Sequence, residues 1–390
     1  MPRGAAPAPA PPRPRRRPPA PAPTEPPPED EAYLTSQILT YLGNKRALLP
    51  FLGDALAVIK ARLGRPRLRC LDLFSGSGIV ARYLKRHAEL LLANDLEAYS
   101  RTCNQCYLAN ASYVDFPALQ DLANHLRQRL RRQLRPGFLA ELYAPADPRR
   151  IQPGERCFYT RRNAMFLDTA RQEIARLPAP LQPFLLAPLL ARASIHANTA
   201  GVFKGFYKNA RGLGQFGGSG RDALPRILGN IDLDLPVLSR FECDHAVHQE
   251  DANTLVRRLP DLDLAYLDPP YNQHPYGSNY FMLNLLVEYR RPERLSRTSG
   301  IPADWRRSPY NRRAEAEPAL LDLVDHCPAR FILLSYNSEG FLPQPRLVAA
   351  LRRRGRLQVL QRPYQAFRGS RNLHGRPLRV TEFLYLLERS

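Results

Sequence analysis

From Tyr33 onward, apolar residues recur with two different periods. Residues 45–63 (KRALLPFLGDALAVIKARL) space them as one face of a helix. Residues 67–74 (RLRCLDLF) and 89–95 (ELLLAND) are instead short continuous apolar runs, the first stopping at Gly-Ser-Gly. Both predict buried strands. Between them, 77–87 (SGIVARYLKRH) returns to helical spacing. Strand, Gly-rich loop, helix, strand is the order of a parallel sheet with crossover helices, so the predicted class is α/β. Two further buried strands are predicted at 263–268 (DLAYLD) and 330–337 (RFILLSYN), with 356–364 and 380–388 closing the sheet as a hairpin.

The stretch between Asp95 and Asp263 is too long for one crossover. It carries helical patterns at 118–134 and 163–177, and a Gly-rich, basic, aromatic stretch at 199–223 (TAGVFKGFYKNARGLGQFGGSGRDA). Residues 110–240 are therefore expected to form an inserted, mainly helical domain, with 32–109 and 241–390 making the α/β scaffold. Residues 1–31 differ from everything after them. They are Pro, Ala and Arg with almost no bulky apolar side chain. Such a segment cannot offset its ordering entropy, so it is expected to be a disordered tail with polyproline II character.

Charge narrows the partner. Lys and Arg total 57 against 36 Asp and Glu, a net +21 over 390 residues. That excess fits a polyanion, nucleic acid first, although GC-rich coding also enriches Arg, Ala and Pro. Six cysteines are too few for a disulfide framework. Cys103 and Cys106 form a CxxC with no second pair, which reads as two small helix residues rather than a zinc site. The absence of any apolar run of about 18 residues and of a secretory h-region leads to an expected cytoplasmic location.

Candidate chemistry collects at predicted strand ends. LDLFSGSG, 71–78, ends the first strand with Gly76 and Gly78, which let backbone approach a ligand closely. Asp95 ends the second strand and suits a ribose diol. This spacing fits either a nicotinamide cofactor or S-adenosylmethionine, and the lack of GxGxxG tilts away from nicotinamide. Asp268-Pro269-Pro270-Tyr271 follows the strand DLAYLD directly. Two prolines cannot continue a strand or helix and so make a stiff loop at the strand's carboxyl end. The Asp268 carboxylate and the Pro269 carbonyl can each accept a hydrogen bond from an amino group. Tyr271 offers a flat face to a planar base.

DPPY after a strand, DLFSGSG upstream and YLGNKRALLPFL at 41–52 together resemble the Dam-type DNA adenine N6-methyltransferases in the alpha motif order. GVFKGFYK (201–208), NQHPYGSNYF (272–281), SYNSEG (335–340) and FRGSRNL (367–373) resemble a subset found in restriction-modification systems. The resemblance covers about residues 36–390. It implies a Rossmann-like methyltransferase sheet carrying an inserted, mainly helical target-recognition domain. It implies S-adenosylmethionine bound by Tyr41, Lys45, Asp72, Phe74, Gly76, Gly78, Asp95 and Asp251. Asp251 reads equally as the N-cap of DANTLVRRL. Catalysis would fall to Asp268, Pro269, Pro270 and Tyr271 acting on a flipped adenine. Lys204, Lys208 and Arg211, lying among Phe203, Phe206 and Tyr207, are the expected DNA contacts. The resemblance also implies duplex DNA as substrate, a monomer needing no metal or membrane, and a cognate restriction endonuclease as a genetic rather than physical partner. An RNA adenine methyltransferase, a cytosine N4 enzyme and a catalytically silent DNA-binding protein on this scaffold are the alternatives.

Overall fold

Seven strands pair into one sheet in the computed structural model, which describes residues 28–36, 38–218, 222–365 and 379–389. They are β1 (Leu68–Asp72), β2 (Ala88–Asn94), β3 (Asp244–His248), β4 (Leu262–Leu267), β5 (Ala329–Asn337), β6 (Arg356–Gln365) and β7 (Arg379–Glu388). The spatial order is β3-β2-β1-β4-β5-β7-β6. The first five run parallel, and β7 is antiparallel to both its neighbours. The chain winds outward from β1 in one direction and from β4 in the other. The point of reversal therefore lies between β1 and β4, where open α/β sheets bind ligands at their carboxyl edge.

Alternation along the strands divides the core into two layers. Cys70, Leu264, Phe331 and Leu384 point to one face, where the helix Leu49–Leu63 covers them with Leu52 and Ile59. Leu71, Ala265, Ile332 and Tyr385 point to the other, under Leu320 and Leu323 of the helix Arg313–His326. Both faces are dry, so central strands read as continuous apolar runs; β4 is buried at every position.

A third core is helical. Leu119, Leu126 and Leu130 of the helix Phe116–Arg132 pack with Phe166 and Ile174 of Arg161–Ile174 and Leu185 and Leu189 of Gln182–Ile195. The same cluster takes in Cys103 and Cys106 of the helix Ala98–Tyr107 and Met282 of the helix Phe281–Glu288. Asp168, fully buried, accepts from the backbone N–H of Gly137, Leu139 and Ala140 and from the Tyr289 hydroxyl. It thereby caps the helix Phe138–Tyr143 and ties the inserted segment to the loop after Phe281–Glu288.

Two expectations need correction, and one strand was not anticipated. The tail does not extend to residue 31: Glu29 accepts from Ser239 Oγ and the Arg240 N–H, and Asp30 caps the helix Glu31–Thr35. The helix predicted from 45 begins as the short 3-10 turn Arg46–Leu48, because Lys45 turns inward toward carboxylates. The edge strand β3 escaped the apolar pattern because its residues are exposed or only half-buried. Residues 1–27 and the FRGSRNL stretch lie outside the described residues. Among the described residues, no helix is long and apolar enough to cross a membrane.

Candidate active site

Parallel pairing of β2, β1 and β4 brings three acids to one edge of the sheet. Asp72 ends β1, Asp95 follows β2, and Asp268 follows β4. All three line a single cleft of about 900 Å³, counting the space at its open mouth. That volume suits a small-molecule ligand.

The Gly-rich loop is built around bare backbone. Gly76 adopts φ +53, and a Cβ there would stand 2.9 Å from the Tyr41 ring. Its N–H donates to Asp95 Oδ2 at 2.7 Å, while Glu97 N–H donates to Oδ1 at 2.9 Å. Burial raises the Asp95 carboxyl and these hydrogen bonds hold it down. Gly78 sits behind the lining at φ +78 and starts the helix Ile79–Lys85. Asp72 is 1% exposed, and neither of its oxygens makes a well-formed hydrogen bond. Burial and then the charge of Asp268 push it well above the usual carboxylate range, with the Ala81 N–H opposing them only loosely. A buried acid without a donor is costly, and it faces a cleft that can supply one.

Aromatic rings wall the cleft. Tyr41 stacks on Tyr276 and Tyr280 with centroids 5.1 and 4.8 Å away, and its hydroxyl lies 3.1 Å from that of Tyr99. Phe74 meets Tyr310 edge-on at 5.2 Å. The Tyr310 hydroxyl is fixed by donating to Asn253 Oδ1 at 2.6 Å. Asp251 caps the helix Ala252–Leu255 through Oδ1 and also lines the cleft, so the two readings of this residue are compatible. Glu97 is buried there too, with burial and then Asp95 raising its carboxyl to about 7.

Asp268, 18% exposed at the cleft, is backed by a buried charged pair. Lys45 Nζ lies 3.3 Å from Asp268 Oδ1 and 2.5 Å from Glu382 Oε1. Ser335 Oγ donates to that same Glu382 oxygen at 2.9 Å. Burial alone would discharge Lys45; Asp268 and Glu382 outweigh it and hold the ammonium well above its usual range. Burial raises Asp268 to about 6 even though Lys45 pulls the other way. Pro270 lines the cleft beside it. Pro269 and Tyr271 are not among the lining residues. The Tyr271 ring packs edge-on against Tyr336 at 5.7 Å, and its carbonyl accepts from the Phe341 N–H at 2.9 Å.

The basic stretch lies on separate elements. Phe203 and Phe206 are buried in the helical core, so these rings are scaffold. Lys208 lies over the Phe206 ring at 5.3 Å and bridges to Gly214, leaving Arg211 exposed at the tip of the loop between them. Lys204 is exposed, with its carbonyl held by Ser299 Oγ at 2.5 Å.

Tyr276, Tyr310, Glu97 and Glu382 were not singled out from sequence. Glu382 had a signal: an acid directly before the apolar run FLYLL, on a strand that must be buried.

The description "D12 class N6 adenine-specific DNA methyltransferase" belongs to a family whose sequence model matches residues 41–299. The type II methyltransferase M.NlaIII of Neisseria lactamica is 30% identical, over 90% of this chain and 100% of that protein. M.CviAII of Paramecium bursaria Chlorella virus 1 is 27% identical, over 89% of this chain and 97% of its own. M.FokI of Planomicrobium okeanokoites is 26% identical over 90% of this chain, which spans 53% of that longer protein. With acids converging from three strand ends on one cleft, which Pro270 of DPPY also lines, the chain belongs to the D12 class of N6 adenine-specific DNA methyltransferases.

Proposed function

We propose that this DNA adenine methyltransferase is the site-specific modification enzyme of a restriction-modification system and takes its methyl group from S-adenosylmethionine. The observation that carries the reading is the placement of Asp268, a half-buried acceptor opening onto the same cleft as Asp72, Gly76 and Asp95. The cleft fits the cofactor on its own terms. Asp72 offers a buried acid with no well-formed hydrogen bond, whose ionised form the ammonium at the amino-acid end would stabilise. Asp95, its carboxylate fixed by the N–H groups of Gly76 and Glu97, lines the cleft where the ribose diol would lie. Phe74, Tyr310 and Asp251 surround a place for the adenine ring. Bound S-adenosylmethionine supplies an electrophilic methyl carbon on a sulfonium sulfur.

The protein's part is to turn a poor nucleophile into a good one. The lone pair of adenine N6 is delocalised into the ring. Asp268 and the Pro269 carbonyl, each accepting one N6–H, favour a pyramidal nitrogen with its lone pair localised. Positive charge grows on N6 during transfer, and Asp268 is the acceptor aimed at it. The target lies inside a duplex and has to be flipped out, so Tyr271 takes over stacking. Lys204, Lys208 and Arg211 are assigned to DNA, the exposed Arg211 leading. The relatives named above are type II methyltransferases, which supports the restriction-modification role.

The direct test is label transfer from S-adenosylmethionine to duplex DNA and to RNA of the same sequence, with nucleoside analysis of the product. N6-methyladenine in DNA alone is expected; label only in RNA, or in N4-methylcytosine, overturns the reading. Two variants probe its parts. Gly76→Ala forces a Cβ against Tyr41 at a left-handed φ, a strain of about 1–2 kcal/mol before any clash. It should raise KM for the cofactor about tenfold or more with a smaller effect on kcat, measured by steady-state titration. Lys208→Ala should flatten the slope of log affinity against log salt by roughly 0.9 if the side chain meets a phosphate. A base contact would instead relax specificity at one position. Unchanged affinity and specificity would assign Lys208 to the scaffold.

A further inference from the structure

The buried cluster behind Asp268 holds one cation and two acids. Lys45 comes from the N-terminal segment, Asp268 follows β4, and Glu382 comes from β7. Lys45 makes its shorter contact with Glu382, at 2.5 Å, and its longer one with Asp268, at 3.3 Å. Glu382 is 2% exposed and is also held by Ser335. Lys45 and Glu382 are shielded from water and Asp268 is 18% exposed where it lines the cleft, so the cluster's net charge acts on the nitrogen that Asp268 meets with less screening than at the surface.

A single lysine against a single aspartate would be neutral, and Lys45 would compete with adenine N6 for the acceptor. The second acid changes that balance. With both carboxylates ionised and Lys45 protonated, the cluster carries net −1. We propose that Glu382 is a positioning residue for methyl transfer: it engages Lys45, so that Lys45 orients Asp268 without cancelling its charge. The proposal rests on the reading of Asp268 as the N6 acceptor. During transfer N6 gains a methyl carbon and one positive charge as the carbon–sulfur bond breaks. The electron pair of that bond stays on sulfur as a neutral thioether, and N6 then passes a proton along its hydrogen bond to the Asp268 carboxylate and on to solvent, leaving a neutral secondary amine. A net-negative cluster stabilises the charged stage, whereas a neutral one does so less.

The groups facing Asp268 are Lys45, Glu382, Asp72 at the end of β1, Tyr266 on β4, Ser335 on β5, and Tyr271 and Tyr276 after the strand. Among these the glutamate acts against ionisation of Asp268 and the lysine favours it. Removing each should therefore move the acid limb of kcat/KM, which reports the free enzyme, in opposite directions. Glu382→Gln keeps the shape and removes the charge. Its acid limb should fall below that of wild type while the single-turnover rate drops about ten- to a hundredfold. Cofactor and DNA affinities should stay within about threefold. Glu382→Asp keeps the charge and should keep the wild-type limb, with a loss under tenfold. Lys45→Gln should raise the limb instead, and it serves as the deciding variant if Glu382→Gln does not fold.

The experiment measures pH profiles of labelled-methyl transfer to duplex DNA for wild type and the three variants, with thermal melts as a folding check. Opposite shifts for Glu382→Gln and Lys45→Gln, with the limb retained in Glu382→Asp, support the proposal. A folded Glu382→Gln with wild-type rate or an unmoved limb overturns it, as does an unmoved limb in Lys45→Gln. The reading of Asp268 fails separately, if wild type makes no N6-methyladenine or Asp268→Ala keeps its activity.

Discussion

Asp268→Ala should abolish useful turnover, lowering the single-turnover rate by at least two to three orders of magnitude while leaving DNA binding near wild type. Loss of one preorganised hydrogen-bonding group at a developing charge costs about 10²–10³ in rate, and Asp268 supplies a charged one. The side chain is only 18% exposed and is held against Lys45, so a water in its place would lack its charge and its fixed position. Alanine would also leave Lys45 facing Glu382 alone, turning a net-negative cluster neutral. The damage should fall on the chemical step, since nothing in this cluster reaches the basic loop around Arg211. Rapid-quench methylation and a gel-shift titration at matched salt separate the two effects. Substantial turnover in a folded Asp268→Ala would remove Asp268 from the mechanism.

Tyr271→Ala should cost about five- to 150-fold in kcat/KM, because base–aromatic stacking is worth about 1–3 kcal/mol by alanine substitution. The ring is braced from behind, where Tyr336 meets it edge-on at 5.7 Å, and Phe341 N–H fixes its backbone. Its hydroxyl has a structural partner in Asn337, and burial pushes the phenol up to about 12, so it stays neutral at working pH. Tyr271→Phe or Trp keeps a π-face and should cost far less. A mismatch at the target makes flipping cheaper and should partly rescue Tyr271→Ala. Phe as damaging as Ala would move the function to the hydroxyl.

Legibility in the sequence followed burial. The runs that became β1, β2, β4 and β5 are dry on both faces, and their apolar continuity shows without a partner strand. β3 is an edge strand, Asp-His-Ala-Val-His, whose polar residues hide its pairing with β2. The acids were legible for a related reason: Asp95 and Asp268 each stand where an apolar run stops and Asp72 two residues short of such a stop, and parallel topology then brings them together. What local sequence could not hold is separation. Lys45 and Glu382 are 337 positions apart, and only the antiparallel placement of β7 beside β5 joins them. The same distance conceals the stack of Tyr41 on Tyr276 and Tyr280. The aromatic residues beside Lys204 and Lys208 misled in the opposite way, since Phe203 and Phe206 are core rather than a platform for bases.

Methylation of adenine N6 at a single DNA sequence is the activity proposed for this protein. It is tested most directly by modification-sensitive sequencing of genomic DNA from a methylation-free host expressing the full chain, beside the Asp268→Ala variant. The expected result is N6-methyladenine at near-complete occupancy in a single short motif, absent from the variant. Scattered or missing adenine methylation with the wild-type chain, or the same motif methylated by the variant, would contradict it.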